Sequence, residues 1–274
     1  MEYINPPVPE GINSDDRSPL REFFLRGGMT VGVFALCLLV LGWIASLAAP
    51  FVPFSWEERA AARFFPETPP GPDDQELRRL AARLSAAMDL PEGMRVTVHY
   101  NPGATVNAFA APGGHIVVFR GILERLGSED ELAMLLAHEI AHVKHRDVIR
   151  GTLRGLGVML LMAGVESVGP VLGGVEQMGA LSFSRGQEDR ADREATAAVA
   201  RLYGHTGGAI RLFETLRQAV YGNKRELPEL VSSHPDFAHR IARTRAQSRE
   251  LGRAESGELT PLAAVLGRLR SGKE

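Results

Sequence analysis

The sequence predicts an α+β fold, mostly α, carried on one N-terminal transmembrane helix, and three observations lead to that expectation. Met29 to Ala49 contains no Asp, Glu, Lys, Arg or His over 21 residues, which at about 1.5 Å per residue crosses the roughly 30 Å hydrocarbon layer of a bilayer. Between residues 95 and 119, three short segments, RVTVHY, VNAFAA and HIVVF, have strand composition. Most of the remaining chain shows helix starts and helical apolar spacing. With 274 residues, 45% of them hydrophobic, the chain can bury one good-sized core.

Taken in order, residues 1–28 are Pro-rich and charged and form a tail, and 29–49 form the membrane span. A cleaved signal peptide is the rival for this run, but the apolar stretch exceeds the usual 7 to 15 residues. Arg17, Arg21 and Arg26 precede the span and Arg59 and Arg63 follow it. This asymmetry favours an N-terminus in the cytoplasm and, in a bacterium, an extracytoplasmic C-terminal part. Residues 50–72 read as a linker with a short helix around Glu57 to Phe65. The folded domain is expected over 73–252, followed by a tail over 253–274.

The domain's first helix, DDQELRRLAARLSAAMDL, opens with acids in its first turn and ends before Pro91. RVTVHY then alternates as a strand, and VNAFAA and HIVVF flank Pro112, Gly113 and Gly114, residues suited to a tight hairpin turn. A second apolar stretch lies between Arg154 and Arg185, interrupted by Glu166, Pro170 and Glu176. The 30 residues available there fall short of the roughly 40 that two crossings need. The stretch therefore reads as soluble helix and loop.

Composition excludes several classes. A net charge of −2 offers no basic stripe for nucleic acid, and Arg240, Arg243, Arg245 and Arg249 read mainly as a solvated helix face. Cys37 is the one cysteine, so the chain has no internal disulfide.

The stretch HEIAH, residues 138–142, lies on a helix with a recognisable start: Ser128 and Glu131 have the spacing of a capping box. Leu132, Leu136, Ile140 and Val143 make one apolar stripe, and at 100° per residue His138 and His142 fall on the opposite side. Histidines one turn apart can direct two ring nitrogens at one Zn²⁺ while the stripe holds the helix to the core. The bland alternative is a pair of polar residues on an exposed face.

A third ligand is required. His145 also lies on the ligand side, but HExxHxxGxxH would place glycine at 145 and histidine at 148, where His145 and Val148 stand, which excludes that pattern. SFSRGQEDRADREA offers Glu188, with Asp192 one turn later to accept the N–H of a ligand histidine. An ordinary acidic helix start is the competing reading.

Together these stretches resemble the M48 family of zinc metallopeptidases over roughly residues 73–252. The pieces occur in family order: VNAFAAPGGHIVVFRGIL, SEDELAMLLAHEIAHVKHRD, SRGQEDRADREA with its ExxxD, and SSHPDFAHRI with its HP followed by an arginine. The resemblance implies a zincin-like (gluzincin) domain holding one Zn²⁺ on His138, His142 and Glu188. It further implies Glu139 as catalytic base, with His234 and Arg240 near the active site. Room for only one span departs from the multi-span members and favours a single-anchor, envelope-facing peptidase over one acting on prenylated substrates.

The chemistry asks for the same residues. Three protein ligands leave a fourth position for water, and Glu139 points about 100° around the helix from its ligand neighbour, placed to accept that water's proton. His234 is the candidate donor to the oxyanion, with Arg240 supporting it or binding substrate; alternatively His234 occupies the fourth zinc position. The strand at Asn107, Ala108 and Phe109 is expected to pair with an extended polypeptide, unless it is an ordinary hairpin strand. The expected partners are polypeptides, unfolded or misassembled, and a lipid bilayer, with no nucleic acid. A holdase with a structural zinc is the rival function, and Glu139 argues against it, since a structural metal needs no adjacent base.

Overall fold

Helix α1 (Pro19–Ala48) starts ten residues before Met29, and Arg26 and Glu22 pair one turn apart at 3.0 Å on this extension. The computed structural model describes residues 19–66, 71–154, 183–222 and 236–262. The apolar stretch after Arg154 thus lies mostly outside the described residues, as does His234. Among those described, α1 is the one helix long and apolar enough to cross a membrane. Its large side chains, such as Phe34, Leu41 and Ile44, are exposed.

The segment expected as a linker carries its helix slightly earlier, as α2 (Phe54–Ala61), and packs against the domain. Helix α3 (Pro72–Ala87) leads to the sheet. Strands β1 (Thr97–Asn101), β2 (Ala108–Ala111) and β3 (His115–Phe119) lie in the order β1-β3-β2. β1 runs parallel to β3, and β2 antiparallel, with Ala108 opposite Val118 and Ala111 opposite His115. The turn between β2 and β3 needs its glycines: Gly113 and Gly114 both have φ 77°, and a Cβ on Gly114 would sit 1.9 Å from the Arg95 carbonyl oxygen.

Strand alternation gives the sheet two buried faces. Val98, Ile116, Val118, Ala108 and Ala110 turn toward the main core, and Phe109, Ala111, Val117 and Phe119 pack with Ala61 and Phe65 on the other side. α2 thus covers the outer face.

After the short α4 (Arg120–Leu123) comes α5 (Glu129–Lys144), the central helix, packed against α3, the sheet, α6 (Arg185–Tyr203) and α7 (Gly207–Gly222). Ser128 Oγ accepts the Glu131 N–H at 3.3 Å, as expected of the cap. The reciprocal bond differs: the Glu131 carboxylate takes the Gly127 N–H and the Ser128 hydroxyl. α6 opens with a full capping box, Ser184 with Gln187, and closes on Gly204 at φ 79°. α8 (Phe237–Glu250) packs on α6 and α7. The chain after α8, expected as a tail, continues into the domain. Thr206 N–H donates to the Ala254 carbonyl, Glu129 N–H to Thr260, and Thr260 N–H to Asp130 at 2.9 Å.

Candidate metal centre

The helical spacing of HEIAH puts His138 and His142 on the α5 face opposite Leu132, Leu136 and Ile140, and that face is buried too, because α6 lies on it. Burial removes the reading of two exposed polar residues. The capping box of α6 fixes its first turn, where Glu188 faces the histidines, and Asp192 follows one turn on. One ligand atom each from His138, His142 and Glu188 lies within 4.8 Å of the others, all three residues being buried.

The two Nε2 atoms are 3.1 Å apart. Glu188 Oε2 is 3.5 Å from His138 Nε2, and Oε1 is 3.4 Å from His142 Nε2. Zinc–ligand bonds of about 2.0–2.1 Å at tetrahedral angles imply donor-to-donor edges of about 3.3–3.4 Å. The three residues therefore fit a single tetrahedral ion in donor chemistry and spacing.

Carboxylates behind the rings orient them. His138 Nδ1 lies 2.9 Å from Asp192 and His142 Nδ1 3.2 Å from Asp147, so an N–H at each Nδ1 leaves the Nε2 lone pair toward the shared point. Burial works against the charge on Asp192, yet the Arg240 guanidinium and His138 hold its carboxyl well below the usual range. Arg240 makes two bonds to Asp192, at 2.8 and 2.6 Å, and its guanidinium lies over the Phe213 ring. Asp147 is likewise held low against burial, by His142, Gln187 (2.7 Å) and Arg190.

Burial lowers the pKa of His138, against the pull of Glu188 and Asp192, favouring the neutral ring that a metal requires. Burial also acts downward on His142, but Asp147, Glu188 and Glu139 outweigh it and raise its pKa to about 9. The cluster thus attracts positive charge to His142 Nε2, whether a proton or a cation.

Glu139, on the same helix, is buried, and its Oε2 accepts the Ala110 N–H at 2.9 Å. The β2–β3 register explains this bond. Phe119 N–H donates to the Asn107 carbonyl, so residues 107, 109 and 111 bond to β3 while the backbone groups of Ala108 and Ala110 turn to the other edge.

Of the expected site residues, the structure brings together His138, His142, Glu188, Glu139, Asp192 and Arg240. Arg240 sits behind His138, bonded to Asp192. Asn107, Ala108 and Phe109 are buried, with the Phe109 side chain on the outer face of the sheet beneath α2. His145 turns away from the cluster and pairs with Glu194. Sequence reasoning missed Asp147, the Ala110 N–H and Phe183, whose ring stacks on His142 with centroids 3.9 Å apart. Asp147 lies past the end of α5, and Arg146, at φ 59°, makes the turn that brings it back. Helical periodicity carries no signal of such a turn.

The sequence model of peptidase family M48 matches residues 72–248. A putative beta-barrel assembly-enhancing protease of Vibrio cholerae is 30% identical over 161 residues, covering 53% of this chain and 33% of that protein. A protease HtpX homolog of Desulfatibacillum aliphaticivorans is 27% identical over 277 residues, covering 85% of each. The mitochondrial metalloendopeptidase OMA1 of Schizosaccharomyces pombe is 30% identical over 168 residues, covering 60% of this chain and 49% of that protein. The chain thus spans about a third of the Vibrio protein and about half of the yeast one.

Proposed function

The chain belongs to peptidase family M48, and from that premise we propose that it is a membrane-anchored zinc metalloendopeptidase acting on unfolded or misassembled polypeptides. The observation that carries the reading is the convergence of His138, His142 and Glu188 on one buried point, with Glu139 aimed beside it by the Ala110 N–H. One Zn²⁺ on those three residues supplies a Lewis acid and lowers the pKa of water to about 7.

The protein's own groups do the rest. Asp192 and Asp147 hold the two imidazoles in one tautomer, and Arg240 fixes Asp192. In this reading Arg240 acts as a positioning residue through Asp192, where the sequence offers it as support for His234 or as a substrate contact. The Glu139 carboxylate takes a proton from the attacking water and delivers it to the leaving amine. His234 is our candidate donor to the oxyanion. The outward backbone groups of Ala108 and the Ala110 carbonyl, on β2, are the candidate partners for an extended substrate chain, the Ala110 N–H being held by Glu139. We assign the span to residues 29–49, covered by α1 and the first residue of the turn that follows it, with the N-terminus cytoplasmic and the peptidase domain on the far side.

Metal content and casein cleavage by the full chain, with and without a chelator, test the chemistry. One zinc per chain and chelator-sensitive cleavage are expected, with zinc lost in Glu188→Ala. Full zinc in Glu188→Ala would remove this residue from the ligand set. A reporter fused after Glu274 is expected to behave as exported from a bacterial cell; cytoplasmic behaviour would overturn the orientation and leave the chemistry standing.

A further inference from the structure

Helix α2 has two unlike sides. Glu57 and Ala61 are buried against the domain, and Trp56, Arg59 and Ala60 are exposed, with Arg63 continuing the same line one turn on. Trp56 is 60% exposed, and Phe51, just before the helix, is 86% exposed. The Arg63 guanidinium lies over the Phe64 ring, 4.5 Å from its centre. No acid shares this side: Glu57, about 100° round from Trp56, is buried against the domain, and Glu58 lies about 200° around the helix.

The place of this face in the chain says what covers it. No charged residue stands between Arg26 and Glu57, but α1 itself ends at Ala48, before Pro50, and Met29 to Ala49 already match the hydrocarbon layer in length. Phe51 follows in a tight turn over Ala49–Phe51, closed by the Val52 N–H on the Ala49 carbonyl, and α2 starts at Phe54. Six steps separate Ala48 from Phe54, no more than about 20 Å even if extended. An aromatic pair and two arginines placed immediately beyond a span have the composition of the membrane–water interface.

The domain is also fastened to this segment. Arg146 Nη2 donates to the Val52 carbonyl at 2.8 Å and to the Ala49 carbonyl at 3.4 Å, and pairs with Glu57. Glu57 in turn accepts the Gly113 N–H at 3.3 Å.

On the reading that α1 spans a bilayer, we propose that the Trp56–Arg59–Ala60 face, flanked by Phe51 and Arg63, rests in the headgroup layer of that bilayer and holds the peptidase domain against it. The hairpin turn at Gly113 packs under α2, and β2 ends two residues earlier at Ala111. A chain paired along the four residues of β2 would lie within about 14 Å of the turn that α2 covers. The arrangement favours polypeptide segments close to the membrane surface as substrates.

Trp43 in α1 and Trp56 are the two tryptophans of the chain, so Trp43→Phe and Trp56→Phe each leave one reporter. The full chain is reconstituted in phosphatidylcholine–phosphatidylglycerol vesicles containing lipids brominated near the headgroup or near the chain end, with iodide as aqueous quencher. Trp43 is expected to be quenched by bromolipids. Trp56 is expected to be quenched most by bromines near the headgroup, with blue-shifted emission and loss of iodide quenching, which Arg59→Gln/Arg63→Gln restores. Bromolipid quenching of Trp43 with Trp56 open to iodide would overturn the surface while leaving the anchor, and would hand the face to a protein partner. No lipid quenching of Trp43 would overturn the anchor and this proposal together. The peptidase chemistry is tested separately, by metal content.

Discussion

Two buried charged clusters lie along α5, and they differ in kind. At its C-terminal end Arg146 faces Glu57, with the Val52 and Ala49 carbonyls and the Gly113 N–H around them. Cation and anion answer each other, and burial still leaves the Glu57 pKa raised despite Arg146. One to two turns back, two imidazoles and a carboxylate converge on one point, with Asp192 and Asp147 behind the rings and Arg240 reaching both Asp192 and, at 3.7 Å, Glu188. A buried pair closed on itself ties segments together. A buried set of lone pairs aimed at one point, each ring oriented from behind, is arranged to hold a metal.

That contrast is broken first by removing Arg146. Arg146→Met leaves Glu57 buried without its partner and should cost about 3–5 kcal/mol in stability, less in Arg146→Met/Glu57→Leu, where neither charge remains. Urea unfolding of both variants reads the difference. Zinc content should be unchanged in each, and its loss in Arg146→Met would show that the clusters act as one.

Asp147→Asn probes the other side. The amide keeps the shape but loses the charge that faces His142 Nδ1, and metal affinity should fall about 10- to 100-fold in chelator competition. Unaltered affinity would leave Asp147 a purely structural residue.

The smallest effect belongs to a pair of histidines beneath α2. His99 Nε2 and His115 Nδ1 are 2.9 Å apart, and Phe65 stacks on His115. Burial, His99 and Arg78 push the His115 pKa down to about 4; burial and Arg78 lower that of His99, against Asp74. The unfolded chain therefore takes up protons near pH 6.5 that the folded chain refuses. This contribution is complete above about pH 6.5 and is lost as pH falls toward about 4. Between about pH 7 and about pH 5, the Tm of His115→Phe should fall less than that of the wild type, and an equal fall would assign the acid sensitivity to other groups.

How much of this was legible in the sequence depends on the range of the contacts. The three strands, the hairpin turn, the Ser128 cap and the relation of Glu188 to Asp192 follow from local spacing, and local spacing is what a sequence displays. The clamp of Arg146 on residues 49–57 joins positions about ninety apart, so α2 read as part of a linker. The last residues before 262 read as a tail for the same reason, since their partners Glu129 and Asp130 lie far back in the chain. Asp147 was hidden by a left-handed turn at a non-glycine residue, and the Ala110 N–H by being main chain. Arg240 was found by motif, but its role needed the geometry, which turns its guanidinium onto Asp192.

The central claim is that Glu139 moves a proton beside a metal it does not bind. Glu139→Gln keeps the size and helix compatibility of the side chain but cannot accept the proton of water. Zinc content and cleavage of an unfolded protein, measured side by side for the wild type and this variant, test the claim. Equal zinc with turnover reduced at least 10²- to 10⁴-fold, about 3–5 kcal/mol of transition-state stabilisation, is the expected result. Equal cleavage by both proteins would contradict it.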